Sequence, residues 1–234
     1  GAPVHWSAVS RIAADQVARR VPRAPVHVLP NAVEVPARSG PRPADGTLRL
    51  VSTMRLAARK RPLELLRIVD RLTRTAEVPV HLTVLGDGPL RPRAEQLVHR
   101  RRLHDHVHLA GRVDPPVVRR VLAESDVYVA PAVLESFGLA ALEARSVGLP
   151  VVGLAATGLA EFVHEGVEGL LCDDDDGLLA GLLDLVRDPE LRAWISEHNR
   201  TVPSGLTWAL SLDRHERVYA RALAGLPTRD RVRA

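Results

Sequence analysis

From residue 47 onward the chain alternates short runs of apolar and β-branched residues with longer stretches whose apolar positions recur every three or four residues. TLRLVST (47–53) predicts a strand, and PLELLRIVDRLTRTA (62–76) an amphipathic helix with proline in its first turn, where a missing amide proton costs little. VHLTVLG (80–86) predicts a second strand, followed by a basic helix from about Arg91 to Arg102. HVHLAG (106–111) reads as a strand, PPVVRRVLAES (115–125) as a helix and DVYVAP (126–131) as a buried strand. PAVLESFGLAALEARSVGLPVV (131–152) then supplies a loop and a helix beginning around Phe137–Gly138, with Ser136 placed to cap it. PVVGL (150–154) is the next strand. This rhythm predicts an α/β fold, a doubly wound parallel Rossmann-like sheet with helices on both faces. Ligands of such sheets sit at the carboxyl ends of the strands.

The ends of the chain read differently. TGLAEFV (157–163) predicts a turn and short helix, GLLC (169–172) an extended segment, and helices follow at about 177–187, 189–200 and 207–224. The proline-rich VPRAPVHVLPNAVEVPARSGPRPADG (21–46) reads as an extended connector. The expected organisation is a linker over 1–45, an α/β domain over 46–200, and a terminal helix with a tail over 201–234.

Composition narrows the classes. Hydrophobic residues make up 46% of the 234 and charged residues 26%, enough for a sizeable core, and no run approaches the length a membrane span needs. The opening GAPVHW has neither the basic start nor the apolar stretch of a signal peptide, and without an initiator methionine the chain reads as an excised portion or processed product. A single cysteine, Cys172, excludes an internal disulfide and suits a reducing, cytoplasmic setting. The formal charge is only +4, from 32 basic and 28 acidic residues, and aromatics are 3%, so nucleic acid is not the expected partner. One basic residue stands apart: Lys60 is the single lysine in an arginine-dominated set, a compact ammonium where a planar fork would be the default.

Candidate chemistry centres on residues 131–152. A helix mouth near Gly138 offers free amides and a positive dipole end, a setting suited to phosphate, and glycine permits close backbone approach. Glu143 on that helix would accept two hydrogen bonds from a vicinal diol such as ribose, and Glu135 would bind hydroxyls of a second moiety across the diphosphate. Taken singly, each glutamate fits a plainer role, Glu135 as a dipole-favoured acid and Glu143 as a solvated helix residue. His104, His106 and His108 alternate along one strand face, but no carboxylate or cysteine spacing completes a metal site. The run Asp173–Asp176 stands before a helix, where capping accounts for it better than a cation. A glycosidase pair would need a raised-pKa acid in a buried setting, and a nicotinamide enzyme would need a G-x-G-x-x-G after the first strand. Neither signal is present.

ESFGLAALEA resembles the E-x7-E signature of retaining GT-B glycosyltransferases, particularly family 4. The likeness runs from about Ser7 to the C-terminus. LPNAVE resembles the family's N-G-V turn, MRLAARKRP its G-R-L-x-x-x-K-G, VLGDGPLR its G-D-G-P, VHLAGRV its F-x-G-x-V, GLPVVG its G-x-P-V-V, and TGLAEFVHEGVEGLLC its G-G-x-x-E-x-V stretch. The resemblance implies the C-terminal, nucleotide-sugar-binding half of a transferase that uses a nucleoside diphosphate sugar as donor and no metal or other cofactor. It implies Arg55 and Lys60 on the diphosphate, Glu135 on donor-sugar hydroxyls and Glu143 on the ribose. The amides of Phe137, Gly138 and Leu139 would line the sugar-phosphate end, and the backbone near Arg112 and Val113 would meet the base. Met54, Arg61 and Ala32 stand where the family usually has glycine, and Leu159 and Ala160 precede Glu161. It further implies an N-terminal acceptor-binding domain outside this chain, reached by the crossover segment and the last helix, and a fragment with little transferase activity by itself. Peripheral membrane contact would come through that domain. A non-catalytic nucleotide-sugar-binding or regulatory module would share the same site.

Overall fold

A computed structural model describes residues 4–34 and 45–224. Among these residues eight strands run in chain order: β1 (Trp6–Ala8), β2 (Val26–Val28), β3 (Leu48–Thr53), β4 (Val80–Leu85), β5 (Val107–Gly111), β6 (Val127–Ala130), β7 (Val151–Leu154) and β8 (Gly169–Cys172). The helices are α1 (Arg11–Arg20), α2 (Pro62–Thr75), α3 (Arg91–Arg101), α4 (Pro115–Glu124), α5 (Leu139–Ser146), α6 (Asp175–Arg187), α7 (Pro189–Thr201) and α8 (Trp208–Ala224). Six strands form one parallel sheet in the order β5-β4-β3-β6-β7-β8. The chain builds outward from β3 through β4 and β5, then returns to pair β6 on the other side of β3. The order therefore reverses between β3 and β6, and the loops leaving their carboxyl ends diverge to open a crevice.

Both sheet faces are covered, as all-parallel strands require. On one side Leu48, Leu50, Leu82 and Val129 pack with Leu65, Leu72, Leu97, Leu178 and Leu182 from α2, α3 and α6. On the other, Val51, Tyr128 and Val151 pack with Leu122, Leu142 and Val147 from α4 and the region of α5. The strand residues alternate between these two clusters because successive side chains of a strand point to opposite faces. Pro62, Pro115 and Pro189 each stand in a helix first turn, and Asp174 and Asp188 cap α6 and α7 by accepting from the amides of Gly177 and Leu191, each at 2.8 Å.

The amino-terminal segment departs from expectation. Residues 6–28, within the linker expected over 1–45, form a β1-α1-β2 unit whose strands pair in parallel, Trp6 opposite Val26 and Ala8 opposite Val28. Pro22, Pro25 and Pro30 bracket β2 instead of interrupting it, and the Pro25 carbonyl accepts from the Trp6 amide at 2.9 Å. Ser10 caps α1 through the Ala13 amide. This unit docks on the main sheet through Glu161, whose carboxylate accepts from the Arg11 amide at 2.5 Å, while the Val33 amide donates to the Leu206 carbonyl at 3.1 Å. Residues 35–44 of the expected connector, and the tail from 225, lie outside the described residues.

Candidate functional site

Thr53 ends β3 at the switch point and lines three adjoining cavities. Its backbone is held by Tyr128 of β6, whose buried hydroxyl donates to the Thr53 carbonyl at 3.2 Å and lies 3.4 Å from its amide. Burial also pushes the Tyr128 phenol well above its ordinary pKa. It therefore acts as a fixed neutral strut between the two strands that flank the crevice. Ser52 adds a second tie, donating to the Val129 carbonyl at 2.7 Å.

The first cavity, about 190 Å³, lies directly between the β3 and β6 loops and is lined by Lys60, Pro131, Glu135, Gly138 and Leu139. Lys60 and Glu135 meet across it as an ion pair. The other Glu135 oxygen, Oε1, accepts from the Gly138 amide at 3.1 Å and faces the Phe137 amide at 3.4 Å. One carboxylate thus collects an ammonium from the β3 loop and the amide mouth of α5. Those donors are the set that an oxyanion of a diphosphate would need.

Gly138, rather than Ser136, caps α5. Its φ of +92° is left-handed, and a β-carbon there would stand 2.5 Å from Leu159 Cδ2. Gly138 has no side chain to offer as a cap; Ser136 is exposed, and Glu135 accepts from the Phe137 and Gly138 amides at the helix mouth. Phe137 contributes only backbone to the cavity, since its ring is buried against Phe162 at a centroid distance of 5.5 Å. Leu139 is exposed and lines the first and third cavities.

Arg55 is exposed and lines the second cavity, about 680 Å³, with Gly86, Asp87, Arg112 and Val113. Thr53 and Met54 form the wall it shares with the first. Met54, in place of the family's glycine, is buried; its amide donates to the Leu85 carbonyl at 2.9 Å. The close backbone approach is made here by Gly86, at φ +130°, where any β-carbon would collide with the Met54 carbonyl. Glu143 lines the third cavity, about 730 Å³, with Arg119, Val113 and Trp208. Desolvation raises the Glu143 carboxyl above its ordinary pKa, and Arg119 opposes the shift. All nine expected residues thus fall on three contiguous cavities or, for Phe137, on their backbone rim, with Lys60, Glu135 and the α5 mouth converging directly.

Tyr128, Thr53 and Arg119 were not singled out by sequence. A tyrosine inside the otherwise apolar DVYVAP was the available signal, since a buried hydroxyl demands a partner. The acidic run is engaged in the fold: Asp174 caps α6, Asp175 pairs with Arg61 and Asp176 with Arg71 at 2.6 Å. Among the described residues no group of three or more His, Cys, Asp or Glu side chains is placed to hold a metal. His106 bonds the Val80 carbonyl, and His104 lies against His99.

A six-stranded parallel sheet covered on both faces, with a crevice at its switch point lined by an ion pair and a helix mouth, defines a Rossmann-like α/β domain of GT-B architecture. The chain belongs to the family "Glycosyl transferases group 1", whose model matches residues 38–202. It is 35% identical over 225 residues to a D-inositol 3-phosphate glycosyltransferase of Xylanimonas cellulosilytica, covering 87% of this chain and 53% of that protein. It is 35% identical over 126 residues to the N-acetyl-alpha-D-glucosaminyl L-malate synthase of Bacillus anthracis, covering 53% of this chain and 32% of the relative. The chain therefore spans about half, or less, of the curated relatives it matches. Among solved structures it resembles the sucrose-phosphate synthase of Thermosynechococcus elongatus, with a TM-score of 0.80, 21% identity, and coverage of 95% of this chain and 59% of that one. The pneumococcal O-GlcNAc transferase GtfA, solved with UDP and GlcNAc, superposes with a TM-score of 0.80 at 16% identity over 94% of this chain and 45% of that one. These two establish the fold alone. Among the described residues no helix is long and apolar enough to cross a membrane.

Proposed function

We propose that this chain is the donor-binding half of a retaining, family 4 glycosyltransferase of the hexosyltransferase type. It takes a sugar from a nucleoside diphosphate sugar and delivers it to an acceptor hydroxyl, without a metal ion or other cofactor, in the cytoplasm. The observation that carries this reading is the convergence of Lys60 and the Phe137–Gly138 amides on one anion, the Glu135 carboxylate. A donor diphosphate entering the cavity takes those contacts over. As the bond from the anomeric carbon to the diphosphate breaks, negative charge grows on the departing oxygen, and Arg55, Lys60 and the α5 amides stabilise it more than they stabilise the bound donor. Glu135, displaced toward the sugar, orients its hydroxyls, a positional contribution. Glu143 accepts from the ribose diol in the third cavity, and the backbone at Arg112 and Val113 borders the base.

An acceptor-binding domain lies beyond this chain in the reading. Two features support it besides the partial coverage of relatives. A two-stranded parallel ribbon such as β1–β2 does not stand alone, because parallel strands are stable with both faces and edges covered. Trp208, Leu212 and Tyr219 of α8 also remain exposed at 55%, 58% and 61%. Membrane contact, where it occurs, comes through that further domain, and the chain by itself turns over donor poorly.

The test is calorimetric titration with UDP, GDP and ADP. Arg55→Ala and Lys60→Ala should each weaken the diphosphate that binds best by about ten- to a hundredfold, the range of a charge-assisted hydrogen bond. Unchanged affinity in both variants rejects the assignment. Restoring the acceptor domain and assaying sugar transfer, with the product anomer read by NMR, separates a transferase from a binding module. Thermal shifts with UDP-, GDP- and ADP-sugars rank the donors.

A further inference from the structure

Arg61 stands next to Lys60 and faces none of the three cavities. Its backbone is left-handed, φ +56° and ψ +46°, a conformation that costs a side-chain-bearing residue free energy and suits glycine. What the arginine adds is a fork with three bonds. Nη1 donates to Asp175 Oδ1 at 2.8 Å and Nη2 to Asp175 Oδ2 at 2.7 Å, a bidentate pair. Nη1 also donates to the Pro131 carbonyl at 3.0 Å. One guanidinium therefore joins three segments: the Lys60 loop after β3, the β6 loop four residues ahead of Glu135, and the first turn of α6.

We infer that Arg61 and Asp175 are positioning residues of the donor site, fixing the separation of the Lys60 and Glu135 loops when the diphosphate enters. The inference rests on the function proposed above. In the free protein those loops are held together across the cavity by the Lys60–Glu135 pair, and a diphosphate must break that pair to bind. Neither Arg61 nor Asp175 lines any of the three cavities, so the incoming anion does not compete for their fork. With the Asp175 anchor fixed to α6, the two walls keep their spacing while their facing charges exchange partners. Without the fork, each loop is free to relax once the ion pair opens, and part of the binding free energy goes into re-ordering it.

The experiment compares nucleoside diphosphate with its own monophosphate (UDP with UMP, GDP with GMP, ADP with AMP) by calorimetry. The series is the parent chain, Arg61→Gly, Asp175→Ala, the double variant, and Lys60→Ala as a marker of the subsite. Glycine accepts the left-handed backbone, so Arg61→Gly keeps the turn. The ratio of diphosphate to monophosphate affinity should fall about two- to thirtyfold in each single variant, and no further in the double. A purely structural role would lower the melting temperature and leave the ratio alone. If Lys60→Ala lowers the ratio and neither Arg61→Gly nor Asp175→Ala does, or if their effects add in full, the positioning role is overturned and the donor site stands. If Lys60→Ala also leaves the ratio unchanged, the donor site itself falls, and this inference with it.

Discussion

Lys60 and Glu135, 75 positions apart in sequence, face each other across the switch-point cavity as an ion pair, each side chain only about a quarter or a fifth exposed, at 24% and 20%. Because Glu135 Oε1 also collects the α5 amides, the carboxylate fills the seat that the proposed function gives to a phosphate oxyanion. The site is electrostatically satisfied before any donor arrives.

Removing that internal anion should favour an external one. Glu135→Gln is expected to tighten free nucleoside diphosphate by about fivefold, roughly the 1 kcal/mol scale of a partly exposed ion pair, measured by calorimetry. With the proposed acceptor domain restored, the same variant should lose most sugar transfer. A weaker or equal affinity would show that Glu135 does not compete for the anion seat.

Gly138→Ala should be costly twice. The left-handed backbone penalises a β-carbon by about 1–2 kcal/mol, and Leu159 must move away from it. Urea denaturation should show the loss in stability, and titration a weaker diphosphate, because the amides of the α5 mouth shift with the turn.

Glu143 links pH to stability with a definite sign. Desolvation holds its folded pKa above the ordinary carboxylate value, so the folded state binds the proton more tightly than the unfolded chain. Stability contributed by this group therefore falls as pH rises from about 4.3, the unfolded value, through the folded pKa. Glu143→Gln should raise the melting temperature at pH 7, with the gain vanishing below about pH 4. Nucleotide affinity should fall instead, most clearly at neutral pH where the carboxylate is charged.

At the opposite end of β7 and β8, Glu168 behaves in the opposite sense. Burial alone would raise its pKa, yet the amide and ring of His164, at 2.8 and 2.9 Å, together with Arg145 at 3.3 Å, bring it below the ordinary value. Its stabilisation is present at neutral pH and is lost as pH falls below about 4.3 and through the folded pKa. Glu168→Gln leaves the buried Arg145 without its counter-charge and should cost about 3–5 kcal/mol in denaturant unfolding, with a flatter acid limb.

The parallel sheet was legible because its strands are apolar runs separated by periodic helices, a pattern set by burial on both faces. Expected and observed ends of β3, α2, β4, α3 and α7 agree within one or two residues. The β1-α1-β2 unit was not legible: strands of three residues carry no periodicity, and the prolines beside β2 read as a connector until its parallel partner is known. In the site, Glu135 and the mouth of α5 could be placed from topology, and Arg55 and Lys60 from the family resemblance. The capping of α5 could not, because a serine at 136 and a glycine at 138 offer rival solutions, and the Glu135 carboxylate that takes the Phe137 and Gly138 amides is placed only by the folded loop. The role of Arg61 was hidden for a related reason. A glycine position held by arginine looks like a loss of backbone freedom, and its compensation, Asp175, lies 114 residues away.

The reversal of strand order between β3 and β6 also sets when a binding seat can exist during synthesis. Lys60 leaves the ribosome well before Glu135 and the amides at Gly138, and until β6 has docked beside β3 the ammonium has nothing to face. On the function proposed above, a nucleoside diphosphate meets its full set of donors only after α5 is in place. It can only reward molecules already threaded through α5, so ligand rescue of a folding-impaired variant should act on late steps of maturation.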